Sequence, residues 1–274
     1  MQLKYYLDTC AVQSLGAKLV SLPVDCFYTS VWTQFELVSA IIDENSFKRK
    51  RGALKHLFDS GLYIDQVFPV FKRLLAYGIV KEEEGEIHGF SNTIRSILQS
   101  TNYEEFVAKN EIHSSTIPSE SIGLERITAL EIIKRIDEVT LGFGNQIKSR
   151  MDLRIEDFEE KWEKGDKNEW LQDAIGYYAS LLEAKSFVPR NILINAYDHS
   201  MDYYILIHYY YVEQKRYSRN QPAKNDFNDL MHLQYLRNGC KLVTDDKGFQ
   251  KYVNKVVDGL AIGIEQFLKE ISEQ

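Results

Sequence analysis

Four acidic side chains stand where the chain passes from one predicted element to the next: Asp8, Glu36, Asp229 and Asp246. Two unit charges about 4 Å apart repel by roughly 4 kcal/mol at an effective dielectric constant of 20. If these carboxylates converge, they must therefore take up protons or recruit a cation. Ligands that offer only oxygen suit Mg²⁺ or Mn²⁺ better than zinc. Such an ion polarises a phosphate and activates water, so the set indicates metal-assisted hydrolysis of a phosphate ester.

Each acid alone also has an ordinary structural explanation, because Asp and Glu stabilise the first turn of a helix. Asp8 and Asp246 could each cap the helix that follows. Glu36 fits the last position of a capping box, and Asp226 with Asp229 fits a cap pair. The sequence therefore leaves both explanations open, and the set is more informative than any one of its members.

The amino-terminal region alternates short apolar runs with helical periods. The apolar run at residues 3–7 ends at Asp8 and predicts a buried strand that enters a turn. Further strands are expected at residues 26–28 and 61–64. Apolar residues at helical spacing predict helices at residues 30–42 and 47–58.

The carboxyl-terminal region returns to the same alternation. We expect helices at residues 192–216, 227–237 and 262–271, the second closed by Asn238 and Gly239. Strands are expected at residues 241–244 and 253–257, with a helical turn beginning at Asp245. The region between, residues 69–190, is rich in Glu and Lys and helical in period, for example at 125–139 and 155–162.

Strand and helix units at both ends predict an α/β protein with a parallel sheet covered on both faces. The central helices are interpreted as an insertion into one domain, with a separate compact domain as the alternative. In an open parallel sheet the carboxyl ends of the strands share one edge, where ligands usually bind. Acids that are distant in sequence can therefore meet there.

Composition limits the class of protein. The 274 residues carry a net charge of −7, which argues against indiscriminate coating of nucleic acid. Three cysteines, none in a CxxC spacing, predict neither a disulfide framework nor a zinc site. The amino terminus has no apolar core of a signal peptide, and the most apolar run is about half the ~20 residues that span a bilayer. We expect a soluble protein of a reducing cytoplasm, without membrane association.

Several stretches resemble the signature of PIN-domain ribonucleases. The family pattern places an Asp after the first strand, a Glu on a helix, an Asp at the start of a late helix, and an Asp after a strand of the type LVTxD. The matching stretches here are YLDTC at 6–10, TSVW at 29–32, FEL at 35–37, NDFNDLMHLQYL at 225–236, and CKLVTDDK at 240–247. The resemblance covers roughly residues 1–65 and 190–265.

This resemblance implies a three-layer α/β/α Rossmann-like PIN fold with a short parallel sheet and a large helical insertion. The domain would comprise residues 1–68 and 191–274, with the insertion at 69–190. Carried over by position, the Mg²⁺ or Mn²⁺ ligands and catalytic residues are Asp8, Glu36, Asp229 and Asp246. Asp226 and Asp245 are the less favoured neighbours. Asp229 is preferred to Asp226 because its spacing to the Thr-x-Asp strand suits the family pattern better.

Basic residues are candidates for contacts with a nucleic-acid backbone. They form a cluster on the second predicted helix, a group that leads towards Asp229, and one lysine beside Asp246. A solvated helix face is the ordinary alternative for such runs of charge. The candidates are Lys48, Arg49, Lys50, Arg51, Arg216, Arg219, Lys224 and Lys247. His232 is interpreted as a packed or capping histidine rather than a metal ligand, because the surrounding residues offer oxygen.

The leading hypothesis is a metal-dependent endoribonuclease that hydrolyses single-stranded RNA and, as the resemblance implies, leaves a 5′-phosphate and a 3′-hydroxyl. A toxin paired with an antitoxin is a variant of this hypothesis, and a homodimer is compatible with it. The alternative of another class is a non-catalytic PIN-like scaffold that binds a protein through its helical insertion. A phosphohydrolase acting on small substrates ranks lower, because the opening Asp8-Thr9-Cys10 lacks a DxD motif.

Overall fold

The computed structural model describes residues 4–39, 41–81, 91–116, 155–218 and 224–273, so the predicted helix at 125–139 lies outside the described residues. The strands are β1 (Tyr5–Leu7), β2 (Phe27–Ser30), β3 (Tyr63–Asp65), β4 (Lys241–Val243) and β5 (Ala261–Ile262). The helices before the central gap are α1 (Thr9–Leu15), α2 (Val31–Ser39), α3 (Glu44–Asp59), α4 (Pro69–Ala76), α5 (Ser91–Gln99) and α6 (Tyr103–Thr116). Those after it are α7 (Ile155–Lys164), α8 (Lys167–Ser186), α9 (Arg190–Ala196), α10 (Asp202–Ser218), α11 (Lys224–His232), α12 (Lys247–Val256) and α13 (Ile264–Ser272).

The described strands form one parallel sheet in the order β3-β2-β1-β4-β5. The predicted α/β class with a parallel sheet is therefore confirmed. The chain runs outward from β1 through β2 to β3, and it returns to the other side of β1 for β4 and β5. The strand order thus reverses between β1 and β4, and ligands of open parallel sheets bind at the carboxyl ends of the strands beside such a reversal.

Helices cover both faces of the sheet. Successive side chains of a strand point to opposite faces, so neighbouring residues of one strand join different cores. Tyr6, Tyr28 and Leu242 belong to a tyrosine-rich core that also contains residues of α7, α8, α10 and α12. Leu7 and Val243 belong to a leucine-rich core on the other face, formed with α1, α3, α5 and α13. The first residues of the chain thus fix β1 between two packed layers, with Asp8 at its carboxyl end.

The described helices of the central region pack on both cores. Ile94 and Ile97 of α5 join the leucine-rich core, whereas Phe158 and Trp162 of α7 join the tyrosine-rich core. The predicted domain boundaries at 68 and 190 stay predictions. Among the described residues, none of the helices has both the length and the hydropathy that crossing a bilayer requires.

Two predicted elements were wrong. Residues 253–257 are not a strand, because Phe249, Val253 and Val256 form the buried stripe of α12 and the last strand is β5. Residues 192–216 are two helices, α9 and α10, rather than one. The break is a turn in which the Asp198 side chain accepts a hydrogen bond from the backbone N–H of Ser200 at 2.8 Å, a competing local bond that favours turns over helix.

Candidate functional site

Asp8 and Asp246 follow the two strands that flank the reversal of strand order. Each carboxylate also caps the next helix. Asp8 Oδ1 accepts from the backbone N–H of Ala11 at 2.7 Å, and Asp246 Oδ1 accepts from that of Phe249 at 2.9 Å. Both cap bonds use one oxygen, so capping and ligand binding are compatible roles for a carboxylate with two oxygens.

Glu36 and Asp229 reach the same edge from helices α2 and α11. Because α2 begins at Val31, Glu36 lies in its second turn, and the predicted capping box is wrong. Asp229 lies in the middle of α11, which begins at Lys224. Neither acid is therefore a helix N-cap. Of the four acids, only Asp8 and Asp246 have a capping role that would explain their positions.

The electrostatics of the site couple the carboxylates to one another. Burial is the main cause that raises the pKa of Asp229 to about 7. The negative charges of Glu36, Asp246 and Asp8 raise it further, whereas His232 lowers it. Burial likewise raises the pKa of Asp8 to about 6, with a further contribution from Glu36. Carboxyl groups that hold their protons near neutral pH are typical of crowded, partly desolvated acids.

The charges of all four acids affect the thiol of Cys10, an exposed residue on α1. Partial burial of the sulfur raises its pKa, and Asp8, Asp229, Glu36 and Asp246 together bring it to about 12. These are the four residues that the sequence analysis proposed as ligands. The structure thus brings all four into electrostatic contact with one side chain, although they come from separate segments of the chain.

A histidine lies among the acids. His232, at the end of α11, is 2% exposed. Its Nε2 atom is 2.8 Å from Oε2 of Glu36, and its Nδ1 atom is 2.7 Å from the hydroxyl oxygen of Tyr6. Burial opposes protonation, but Glu36, Asp8 and Asp229 outweigh it and raise the pKa of His232. The neighbouring carboxylates therefore favour the charged form of His232.

Glu36 is held by more contacts than the other acids. The hydroxyl of Thr9 donates to the same Oε2 atom. Burial disfavours the ionised form, but His232, Thr9 and Lys50 outweigh it and lower the pKa of Glu36. The ammonium of Lys50 donates to the backbone carbonyl oxygen of Glu36 at 3.1 Å, and Lys50 is only 6% exposed. Lys50 therefore does not belong to an exposed basic face, which corrects its interpretation as a contact for nucleic acid.

The neighbouring acids are engaged elsewhere. Asp226 Oδ2 accepts from the hydroxyl of Tyr211 at 2.7 Å and pairs with Lys215 at 3.3 Å. Asp245 Oδ2 accepts from the hydroxyl of Ser14 at 2.6 Å on the surface. Asp226 and Asp245 are thus natural control positions for Asp229 and Asp246, while the identity of the metal ligands stays a prediction.

The donor chemistry of the site fits a hard divalent cation, because four oxygen donors are crowded and two of them have raised pKa values. Within the described ranges, however, no group of three or more His, Cys, Asp or Glu side chains is arranged to hold a metal ion. The four acids therefore do not stand in coordinating positions, and binding an ion would require at least one of them to move. Such movement is open to Asp229, which is partly exposed and is not a helix cap.

The other predicted basic contacts differ in position. Lys48 pairs with Glu44 one turn earlier on α3 at 3.0 Å, and Arg51 donates to the carbonyl oxygen of Leu98 at 3.1 Å. Arg49 and Lys247 are exposed. Arg219 and the side chains of Arg216 and Lys224 lie outside the described residues. Of this set, Lys247 is the one that directly adjoins a site acid.

The sequence analysis missed the role of His232, and one signal was present. Asp229 and His232 are three residues apart on a predicted helix, so they share a face of it. The contacts of Tyr6 and Lys50 had no comparable signal, because both depend on how β1 and α3 pack against distant elements.

Comparison of the chain with protein-family models, with curated proteins and with solved structures found no match.

Proposed function

We propose that this chain is a divalent-metal-dependent endoribonuclease with a PIN-like fold that hydrolyses single-stranded RNA. One observation carries the proposal: the charges of four carboxylates from separate segments all influence Cys10 beside the reversal of strand order, and burial and mutual repulsion raise the pKa of Asp8 and Asp229. Isolated helix caps would not need to converge. A crowded set of acids costs stability unless a cation offsets the repulsion, which favours a site retained for binding one.

We assign a role in this reaction to each of the four acids. Asp8, Asp229 and Asp246 would hold Mg²⁺ or Mn²⁺, and Glu36 would complete the site or orient the attacking water. When bound, the ion would neutralise the phosphate and lower the pKa of water. The water oxygen attacks phosphorus, the bond from phosphorus to the 3′ oxygen breaks, and a proton passes to that oxygen. The products would then be a 5′-phosphate and a 3′-hydroxyl, as the PIN resemblance implies.

Helix α12 offers a path for the RNA backbone. It begins next to Asp246 and carries Lys247, Lys251 and Lys255 four residues apart, about 6 Å along the helix axis. The three lysines are exposed and line one groove with Gln250 and Asn254, although Lys255 also pairs with Glu159. Such a strip supplies the local positive charge that the net charge of −7 does not.

The test is the pair Asp229→Asn and Asp226→Asn, two changes of the same kind on one helix. We expect Asp229→Asn to fold and to lose both Mn²⁺ binding by calorimetry and Mn²⁺-dependent cleavage of a labelled single-stranded RNA. Asp226→Asn should retain both. Full cleavage by the purified Asp229→Asn protein would reject this assignment of the site.

A non-catalytic scaffold that binds a protein partner is the second candidate. The observation in its favour is a group of large apolar side chains exposed on and beside α8 and α9: Leu181, Phe187 and Ile192. Phe187 is 93% exposed. An antitoxin or a second copy of the chain are partners that such a surface could take. This candidate predicts no Mn²⁺ binding by the wild-type protein and no cleavage at any divalent-ion concentration.

A further inference from the structure

A buried chain of hydrogen bonds links the sheet to Glu36. The hydroxyl oxygens of Ser30 and Tyr6 are 2.7 Å apart, the Tyr6 hydroxyl is 2.7 Å from Nδ1 of His232, and Nε2 of His232 is 2.8 Å from Glu36. The chain of hydrogen bonds connects the middle of β1 and the end of β2 with α2 and α11. It joins the two regions of sequence that the PIN resemblance covers.

The chain fixes the direction of the imidazole. A carboxylate only accepts hydrogen bonds, so Nε2 must carry a hydrogen towards Glu36. The Tyr6 hydroxyl can donate to Nδ1 of a neutral ring. When the ring is charged, the Tyr6 hydroxyl can instead accept from Nδ1 and donate a hydrogen bond to the hydroxyl of Ser30. Both ring nitrogens therefore have a hydrogen-bond partner in this orientation, whether His232 is neutral or charged.

Packing holds the members of the chain in place. The ring of Tyr6 stacks on that of Tyr235, with centroids 5.8 Å apart and an interplanar angle of 10°. Tyr6 and Ser30 are fully buried, and His232 is 2% exposed. Lys50 holds the Glu36 backbone through a hydrogen bond to its carbonyl oxygen. Side chains locked in this way by their neighbours are what a precise site requires.

The hydrogen bonds reach only one oxygen of Glu36. His232 and Thr9 both contact Oε2, and no described residue bonds to Oε1 through a hydrogen bond that the structure records. The recorded hydrogen bonds thus anchor the carboxylate at Oε2, and the Glu36 side chain as a whole is 18% exposed. Outer partners that orient a ligand in this way commonly change metal affinity by about 10- to 100-fold when they are removed.

We propose that His232 is a positioning residue that holds Glu36 by Oε2 and so presents Oε1 to the metal ion or to the attacking water. This inference rests on the proposed function, since it assigns a task within that site. Tyr6 and Ser30 support the imidazole from behind, and they do not touch the reacting atoms.

The experiment measures Mn²⁺ affinity by calorimetry on the full chain, with thermal unfolding in the absence of metal as the check of folding. We expect His232→Ala to weaken Mn²⁺ binding by about 10- to 100-fold. His232→Gln keeps an N–H donor near the position of Nε2, and it should stay within about threefold of wild type. Tyr6→Phe removes only the support, so its loss should fall between these two.

The matched control is His208→Gln, at another buried histidine that is 7% exposed and lies among tyrosine rings on α10. It should change stability and leave Mn²⁺ affinity unchanged. If His232→Ala does not fold, His232→Gln and Tyr6→Phe decide the question.

Unchanged or tighter Mn²⁺ binding by folded His232→Ala, or by Tyr6→Phe where the alanine variant does not fold, overturns the positioning role and leaves the proposed function standing. A His232→Gln variant that is folded but as weak as His232→Ala overturns the role of the Nε2 donor. A wild-type protein that binds no Mn²⁺ removes the proposed function, and the positioning role with it.

Discussion

Within the part of the chain that the structure describes, two histidines are buried, and their surroundings have opposite effects on the pKa of the imidazole. His208 lies in the tyrosine-rich core, where the ring of Tyr204 stacks on it at 5.3 Å and that of Tyr178 lies 5.5 Å away. Burial, aided by the positive charge of Arg73, lowers the pKa of His208 to about 3. The imidazole is therefore a neutral, flat packing element.

His232 is buried as deeply, but carboxylates surround it and raise its pKa. The comparison shows that burial alone does not decide whether a histidine is inert. Low dielectric penalises the charged ring in both places, and only a nearby anion offsets the penalty. The tyrosine-rich core therefore serves packing, whereas the acidic edge accepts an electrostatic cost that a bound cation would relieve.

The largest expected effect tests whether the core is separate from the site. Trp162 is 2% exposed and contacts Tyr210, with ring centroids 4.6 Å apart. Trp162→Ala should lower the free energy of unfolding by about 3–5 kcal/mol, because a large buried ring leaves a cavity. Urea unfolding measures this loss. The folded fraction should bind Mn²⁺ with unchanged affinity, and a weakened affinity would mean that core and site are coupled.

A second pair of variants tests the acidic edge. Asp246→Asn should lower Mn²⁺-dependent cleavage on the order of 100-fold, since an amide keeps the cap but removes a charged ligand. Asp245→Asn, one residue earlier, removes the charge of a surface side chain that bonds to Ser14 and should retain wild-type rates. Equal losses in a single-turnover cleavage assay would contradict the assignment of Asp246.

The third prediction concerns pH and the core histidine. The pKa of His208 is about 3 in the folded protein and near 6.5 ordinarily, so the unfolded chain binds the extra proton between these values. His208 should therefore cost up to about 1.4 kcal/mol of stability for each pH unit below 6.5. Urea unfolding at pH 6.5, 5.8 and 5.0 measures this slope, and His208→Gln should be flatter by that amount. Parallel slopes for the two proteins would mean that His208 is not the responsible group.

The smallest expected effect tests whether the RNA backbone binds along α12. Lys251 is exposed in the groove of α12. Lys251→Gln should reduce the slope of log affinity against log salt concentration by roughly 0.7, the contribution of one phosphate contact with a single strand. Lys269→Gln on α13 is the matched control, because Lys269 is also exposed and is not among the predicted contacts for nucleic acid. A filter-binding titration with Asp229→Asn in the background prevents cleavage, and equal slopes for both lysine variants would place the RNA elsewhere.

Sequence reasoning succeeded where a signal was local. The strand before Asp8, the strand before Asp245 and the helices α2 and α3 follow from runs and periods of apolar residues. It failed where two structures share a pattern. Residues 253–257 contain three β-branched valines, as a strand often does, but the spacing of Val253 and Val256 from Phe249 buries them as a helix stripe. The polar turn at Asp198 divides the segment that the apolar pattern predicted as one helix.

The sequence by itself determined the α/β class, the short apolar strands and the order in which acids follow them, because these depend on periodicity and on residues adjacent in the chain. Only the tertiary structure decided which acids meet, that Lys50 turns inward to Glu36, and that His232 joins Tyr6 to Glu36. The physical reason is that desolvation and charge coupling depend on distance in space, and packing of the sheet sets that distance between residues more than two hundred positions apart.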